Sequence, residues 1–560
     1  MAGLAATLGS GAMTNSINDI VRADVLLVIG SNTTEAHPVI GLQMKAAVRK
    51  HGAKLILIDP RRIELAQFAT VHLRHKPGSD VALVNAMAHV IIAEGLENRS
   101  FIQARTEGFE AFAAAVKDWT PAQAEEVCGV PAQQIAEAAR IYARAKAAAI
   151  FWAMGITQHV TGTDNVKALA NLALLCGQVG RAGTGLNPLR GQNNVQGACD
   201  MGGLPNVYPG YQPVSNEETR RKFALAWGIA EEELSLKPGL TVTEAMNAAL
   251  EGKVRAMYIL GENPMLSDPD LHHVERALRR LDFLVVEDIF LNETAQSADV
   301  VLPGVSFAEK AGTYTNTERR VHLVRSALRS PGRARQDWVI LMDIARRLGA
   351  DWSYTAPAMI FDEMARLTPS YAGISHERLE SGGIQWPCPA PDHPGTPILH
   401  TEKFTRGLGL FSVLEHRPPA EIPDSEFPLI LSTGRVLFHW HGGTLSRRSP
   451  GLDELAPEAE VEIHPADAEE LKVEPGDVVT IASRRGQVRA QARLSYRSPR
   501  GTVFMTFHYA EAPANVLTAN HLDPVAKIPE YKVSAVRIER VESVGVYGPG
   551  ETRALVEELL

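Results

Sequence analysis

Residues 21–32, VRADVLLVIGSN, and residues 254–263, VRAMYILGEN, share one pattern: an apolar run that ends in Gly, then a polar residue, then Asn. Each is followed by a helical stretch and a second apolar run that closes on an acid, KLILIDPRR (54–62) in one case and DFLVVEDIF (282–290) in the other. Shortly after each acid comes the same E-x-A-Q-x-A-x-V pattern, in ELAQFATVHL (64–73) and ETAQSADVVL (293–302). Apolar strands alternating with helices predict parallel sheets covered on both faces, with ligands beyond the carboxyl ends of the strands. Gly30 and Gly261 would let backbone approach a pyrophosphate, and Asp59 and Asp288 would hold ribose hydroxyls, so the duplication predicts two nucleotide-bearing ligands. Taken singly, either Gly or Asp could simply terminate a strand. Neither GSNTTEAH nor GENPMLSD contains G-x-G-x-x-G, which disfavours a nicotinamide site.

The wider chain fits this frame. Its 560 residues are 45% hydrophobic and 22% charged, a globular composition with ample core. No apolar run approaches the roughly 20 residues a membrane span requires. The net charge of -9, with no long basic tract, argues against nucleic acid. Four scattered cysteines, without a C-x-x-C pair, build neither a zinc site nor an iron–sulfur cluster and favour a reducing compartment. After the Pro-rich PAPDHPGTP (389–397) come short alternating strands, DVVTIASRRGQVRAQARLSY and GTVFMTFHY, which predict an antiparallel barrel.

The densest polar run is GRAGTGLNPLRGQNNVQGACDMGG, residues 180–203. Its glycines, amides, Arg190 and Asp200 describe backbone held close to a large polar ligand, with a solvated loop as the plainer alternative. Upstream, FWAMGITQHVTG is expected to end a strand at Gly155 and to present Gln158 and His159, although a lone His there is more often a satisfied core residue.

GSNTTEAHPVI, PGSD, GITQHVTGTDN, NPLRGQNNVQGACDMG, GENP, EKAGTYTNTERRV, TGRVLFHWHGGTLSRRS and the closing NVLT, DP and PEYK together resemble the alpha subunit of formate dehydrogenases, within the dimethyl sulfoxide reductase family of molybdenum or tungsten enzymes. The resemblance runs from Met1 to about Val541. It implies two pseudo-duplicated Rossmann-like α/β domains, the second incomplete, at 1–190 and 191–420, and a barrel domain at 421–560. The cofactor it implies is bis-molybdopterin guanine dinucleotide with molybdenum or tungsten.

By the same resemblance Arg190 would hold the carboxylate of formate, a task suited to a permanently charged fork of paired donors, with Gly191 and Gln192 in the cradle beside it. Gly30, Ser31, Asn32, Glu35, His37, Asp59, Arg61, Pro77, Gly78 and Asp80 would line one guanine nucleotide. Gly261, Glu262, Asn263, Asp288, Lys310, Gly312, Thr313 and Asn316 would surround the other. Thr433, Arg435, His441, Thr444, Asn515, Tyr531 and Lys532 would reach in from the barrel. About a third of these are expected only to support the residues that touch the cofactor.

The family carries a [4Fe-4S] domain, then a metal-ligating Cys or selenocysteine and a His, ahead of V-A-G-L, where this chain begins M-A-G-L. The resemblance therefore places the metal ligand just upstream of Met1, makes Met1 an assigned start inside a longer selenocysteine-containing subunit, and predicts that this chain alone neither carries a cluster nor oxidises formate. Expected partners are formate and iron–sulfur or NAD-reducing electron-transfer subunits, and the expected location is cytoplasmic. Two alternatives are a non-catalytic scaffold relative, as in the iron–sulfur subunit of respiratory complex I, and a two-Rossmann NAD enzyme. Arg190 and GQNNVQG disfavour the first; the missing glycine fingerprint disfavours the second.

Overall fold

The computed structural model describes residues 1–541; the end of the expected 421–560 domain lies outside the described residues. VLLVI folds as the central strand Val25–Ile29 of a five-stranded parallel sheet. On one side of it lie Lys54–Ile58 and then Val71–Leu73; on the other lie Ala148–Trp152 and then Gly185–Pro188. Every residue of Val25–Ile29 and Ala148–Trp152 is buried, because helices cover both faces. Leu27, Ile29, Ile56 and Ile58 pack with Leu83, Met87 and Leu172 of the helices Asp80–Ala93 and Gly162–Leu175. Leu26, Val28, Leu55 and Leu57 pack on Ile40 and Met44 of Pro38–His51. The strand order reverses between Val25–Ile29 and Ala148–Trp152, so their carboxyl ends flank the crevice in which such sheets bind ligands.

The second copy of the pattern is thinner. Ala256–Leu260, Phe283–Asp288 and Val300–Pro303 form a three-stranded parallel sheet. One face packs Leu284 and Val286 on Met246, Ala249, Val274 and Leu278 of the helices Val242–Leu250 and Leu271–Arg279. The other face leaves Tyr258, Leu260, Phe283 and Val300 between 37% and 46% exposed. A small antiparallel sheet of Gly312–Thr315, Arg320–Val324 and Ile384–Gln385 follows. In the turn between its first two strands Arg319 is fully buried and donates to the carbonyls of Met13, Trp386, Thr396 and Pro397.

The segment after the Pro-rich stretch does not stay with the second sheet, where the expected 191–420 boundary put it. Gly409–Leu410 pairs in parallel with Thr106–Glu107, and Phe404, Phe411 and Leu414 enter the core of the first unit. There Phe411 stacks on Phe112 at 5.0 Å. The last part is a closed six-stranded barrel in the order Leu429–Gly434, Thr502–Thr506, Glu460–Ile463, Gln487–Leu494, Val478–Ala482, Ser534–Arg540. Four of its pairings are antiparallel, as expected; Leu429–Gly434 with Thr502–Thr506 and Glu460–Ile463 with Gln487–Leu494 are parallel. Alternation sends Val488, Ala490 and Ala492 inward whichever way the neighbouring strand runs, so it does not reveal strand direction. Among the described residues no helix is long and apolar enough to cross a membrane.

Candidate cofactor and substrate site

A cavity of about 390 Å³ opens where the carboxyl ends of the first sheet, the loops of the barrel and one margin of the second unit meet. Its floor is the crevice of the first sheet. Gly30 has φ +56°, and a Cβ there would come within 2.8 Å of the Gly155 backbone. Gly155 in turn donates its N–H to the Gly30 carbonyl at 3.0 Å. The two glycines let neighbouring strand ends pinch together, so Gly30 is required first for protein backbone and only then for a ligand. The strand expected to end at Gly155 stops at Trp152; Gly155 lies in the helical turn Met154–Thr157.

Around this floor, polar groups remain without protein partners. Both side-chain amide atoms of Asn32 are buried and unbonded. Asp59 accepts the Arg61 N–H at 2.9 Å, and burial drives its carboxyl above the usual range despite Arg61, His75 and Lys532 nearby. Arg61 lies 3.4 Å over the Phe504 ring and donates to Glu462 at 2.7 Å, while its Nε finds no acceptor. His37 donates through Nε2 to the Arg190 carbonyl at 2.6 Å. Its Nδ1 is unpartnered, and burial, followed by the charge of Arg435, lowers it to about 4. Glu35 is held by Arg497 at 2.7 Å. Ser31, Pro77, Gln158 and His159 complete this wall, and His159 bonds the Gly155 carbonyl at 2.9 Å.

The barrel contributes the cationic side. Lys532 is half-buried and donates to the Thr433 carbonyl at 2.5 Å. Burial pushes its amine down to about 7, with Asp59 pulling upward and Arg435 and Arg61 pushing further down. Arg435 and His441 stand beside it on the lining. His441 has an unpartnered Nε2 and is held to about 4 by burial and by Arg435. Asn515 donates to the Leu266 and Ser267 carbonyls at 3.0 Å each, leaving its Oδ1 unbonded, and Tyr531 donates to the Ser267 carbonyl at 3.0 Å.

Of the residues expected around the second nucleotide, Glu262 alone lines the cavity. Asn263 is bonded to Thr294 and Glu293, and Asp288 accepts the Ile289 and Phe290 N–H groups and the Asn292 amide. Lys310 pairs with Asp337, Asn316 accepts the Glu318 and Arg320 N–H groups, and Gly312 and Thr313 lie in a strand. Gly261 has φ +63° with open space around its Cα. Gly78, Asp80 and Thr444 also stand off the lining. A Cβ on Gly78 would strike Pro419, and the Thr444 carbonyl is taken by Arg448.

Asp80 acts through a residue the sequence reading missed. It accepts from His75 at 3.0 Å, and His75 does line the cavity. Burial opposes both charges, yet each partner outweighs it, so His75 is raised and Asp80 lowered. Asp268 was also missed, although it closes the quoted GENPMLSD. Its Oδ2 is unpartnered, and burial, then Glu262, pushes its carboxyl up to about 7.

Gly191 and Gln192 line the cavity; the Arg190 side chain between them and the sheet is not on the lining. Arg190 donates its N–H to Thr317 at 3.1 Å and Nε to Gln196 at 3.2 Å, and its Nη2 is buried without a partner.

This donor set suits a phosphate-bearing purine ligand. Arg61, Arg435 and Lys532 offer cationic donors to phosphate oxygens, and the carboxylate of Asp268 and the amides of Asn32 and Asn515 offer complements to the donor and acceptor edge of a base. Residues 4–347 match the sequence profile described as molybdopterin oxidoreductase, and residues 429–535 match the profile described as "Molydopterin dinucleotide binding domain". The chain is 51% identical over 544 residues to the F420-dependent formate dehydrogenase subunit alpha of Methanocaldococcus jannaschii, covering 96% of this chain and 80% of that protein. It is 40% identical to formate dehydrogenase H of Escherichia coli, covering 97% and 76%, and 38% identical to the assimilatory nitrate reductase catalytic subunit of Bacillus subtilis, covering 94% and 76%. Acetylene hydratase from Pelobacter acetylenicus shares the fold, with a TM-score of 0.76 at 20% identity over 96% of this chain and 80% of that one. By its duplicated sheets, its closed barrel and these matches, the chain belongs to the molybdopterin oxidoreductase family.

Proposed function

We propose that this chain is catalytic-subunit sequence of a formate dehydrogenase that oxidises formate to carbon dioxide, a proton and two electrons, using a bis-molybdopterin guanine dinucleotide cofactor of which one dinucleotide would occupy the cavity. The observation that carries the reading is the convergence of unpartnered polar atoms from the first sheet and the barrel, within the two matched regions, beside the strand-to-loop run that holds Arg190. Arg61, Arg435 and Lys532 would hold the cofactor's phosphates, and Asp59, Asn32 and Asn515 its nucleoside portions. Bound there, the molybdenum or tungsten centre supplies the two-electron acceptor.

The chain's own residues bind and orient. Arg190 keeps Nη2 free for a formate oxygen, and its backbone is fixed on one side by His37 and on the other by Thr317. A guanidinium binds the anion and has little hold on neutral carbon dioxide, which favours release of product. His37, neutral at physiological pH with Nδ1 unbonded, offers that nitrogen as a hydrogen-bond acceptor in the cavity. Electron-transfer partners, iron–sulfur or NAD-reducing subunits, and a cytoplasmic location belong to the same proposal.

Similarity to a nitrate reductase supplies the competing reading. In the cofactor-loaded enzyme, formate should reduce a viologen dye, and Arg190→Lys should lower formate kcat/KM roughly hundredfold with metal content unchanged, since a point charge replaces a paired fork. Dye-driven nitrate reduction without formate oxidation would overturn the proposal.

A further inference from the structure

The helix Val195–Asp200 puts Gln196 and Asp200 one turn apart on the same face. Asp200 is buried, and each of its oxygens accepts twice. Oδ1 takes Gln196 Nε2 at 2.8 Å and the Tyr211 hydroxyl at 2.7 Å; Oδ2 takes the Trp386 indole N–H at 2.8 Å and the Tyr371 hydroxyl. Gln196 also donates to the Tyr211 oxygen at 2.8 Å, so both hydrogens of its amide point away from Arg190. Flipping that amide would set its carbonyl oxygen against the Asp200 carboxylate. Its Oε1 is thereby committed to Arg190 Nε, at 3.2 Å.

We propose that Asp200 is a positioning residue for Arg190: by fixing the orientation of the Gln196 amide, it holds the guanidinium in the pose that leaves Nη2 free for the substrate's carboxylate. The proposal rests on the reading of Arg190 as the formate-binding group. A carboxylate is what this arrangement requires, since an Asn at 200 would turn a donor toward at least one of four donors already aimed at it. Of the residues that anchor Asp200 from outside the helix, Tyr371 and Trp386 tie the pose to the second unit.

The test compares cofactor-loaded wild type, Asp200→Asn, Gln196→Met and the double variant. Each single change should raise the formate KM roughly ten- to hundredfold, with kcat falling less and metal content unchanged. The double should be within about twofold of the worse single, because both break one chain of bonds. Multiplying effects would show that Asp200 acts independently of Gln196 and would overturn the proposal. Crystal structures of both single variants give a readout independent of turnover: the Arg190 guanidinium should leave its wild-type pose in each, and an unmoved guanidinium would refute the positioning role. If Asp200→Asn fails to fold, Gln196→Met still decides, since an unchanged KM and an unmoved Arg190 overturn the idea. Loss of the formate reading alone would appear differently, as an Arg190→Lys enzyme with full formate turnover while Arg190 still moves in the two variants.

Discussion

Asn32 and Asn263 occupy the same place in the repeated Gly-polar-Asn turn, and Asp59 and Asp288 the same place at the end of the next strand. In the first copy Asn32 has neither amide atom bonded, and Asp59, which accepts the Arg61 N–H, lines a cavity. In the second, Asn263 is saturated by Thr294 and Glu293, and Asp288 caps its own turn. The strands differ as well: Val25–Ile29 is buried throughout, whereas Ala256–Leu260 alternates exposed and half-buried residues. A repeated sequence thus specifies a repeated turn, while the surroundings decide whether its polar groups close on one another or stay open to a ligand.

The sharpest probe of that contrast is a methyl group. Gly30→Ala meets both a left-handed φ and the Gly155 backbone and should cost about 3–5 kcal/mol, seen as lost hydrogen-exchange protection across 25–29 and 148–152. Gly261→Ala meets φ alone and should cost about 1 kcal/mol in protection across 256–260. Equal losses would mean the two strand ends are equivalent after all.

A smaller effect is expected from the acids. Asp59→Asn should lower the guanine nucleotide released from purified enzyme roughly tenfold, the worth of about one charged hydrogen bond, whereas Asp288→Asn should leave it within about twofold and loosen residues 288–292. Comparable loss from Asp288→Asn would mean that its turn opens to bind.

A further effect concerns pH in the cofactor-free chain. Lys532 is held near 7 when folded against an ordinary 10.5, so the unfolded chain binds the extra proton between those values. The melting temperature should therefore rise with pH across roughly 7 to 10.5, and Lys532→Met should flatten that rise. Asp268, held near 7 against 3.8, behaves in the opposite sense: its contribution is present below 3.8 and is lost as pH rises through 7, so Asp268→Asn should stabilise at pH 8. Unaltered pH profiles in both variants would place these groups in water.

The apolar runs and their closing Gly and Asp made both parallel sheets legible, and the alternation in QVRAQARL made the barrel legible. That most of the residues expected around the first nucleotide gather at one cavity follows from their place at strand ends, where short motifs fix position. Which of the residues expected around the second nucleotide bond to protein neighbours could not be read, because motif identity carries no information about what surrounds Asn263 or Lys310. His75 was hidden for a related reason: its effect depends on Asp80 five residues on, and a His–Asp pair has no spacing signature on a loop. Nothing local to EKAGTYTNTERRV signals that Arg319 is satisfied by the carbonyls of Met13, Trp386, Thr396 and Pro397.

The strand at Gly409–Leu410 and the aromatic rings of Phe404 and Phe411 belong to the first unit, although the whole second unit lies between them and the sheet they complete. A ribosome delivers the chain from its N-terminus, so every strand of the first sheet emerges long before the segment that seals its core. Through that interval Phe109 and Phe112 have no Phe411 to cover them. The core of the first unit is therefore closed only once residues beyond 400 have been made.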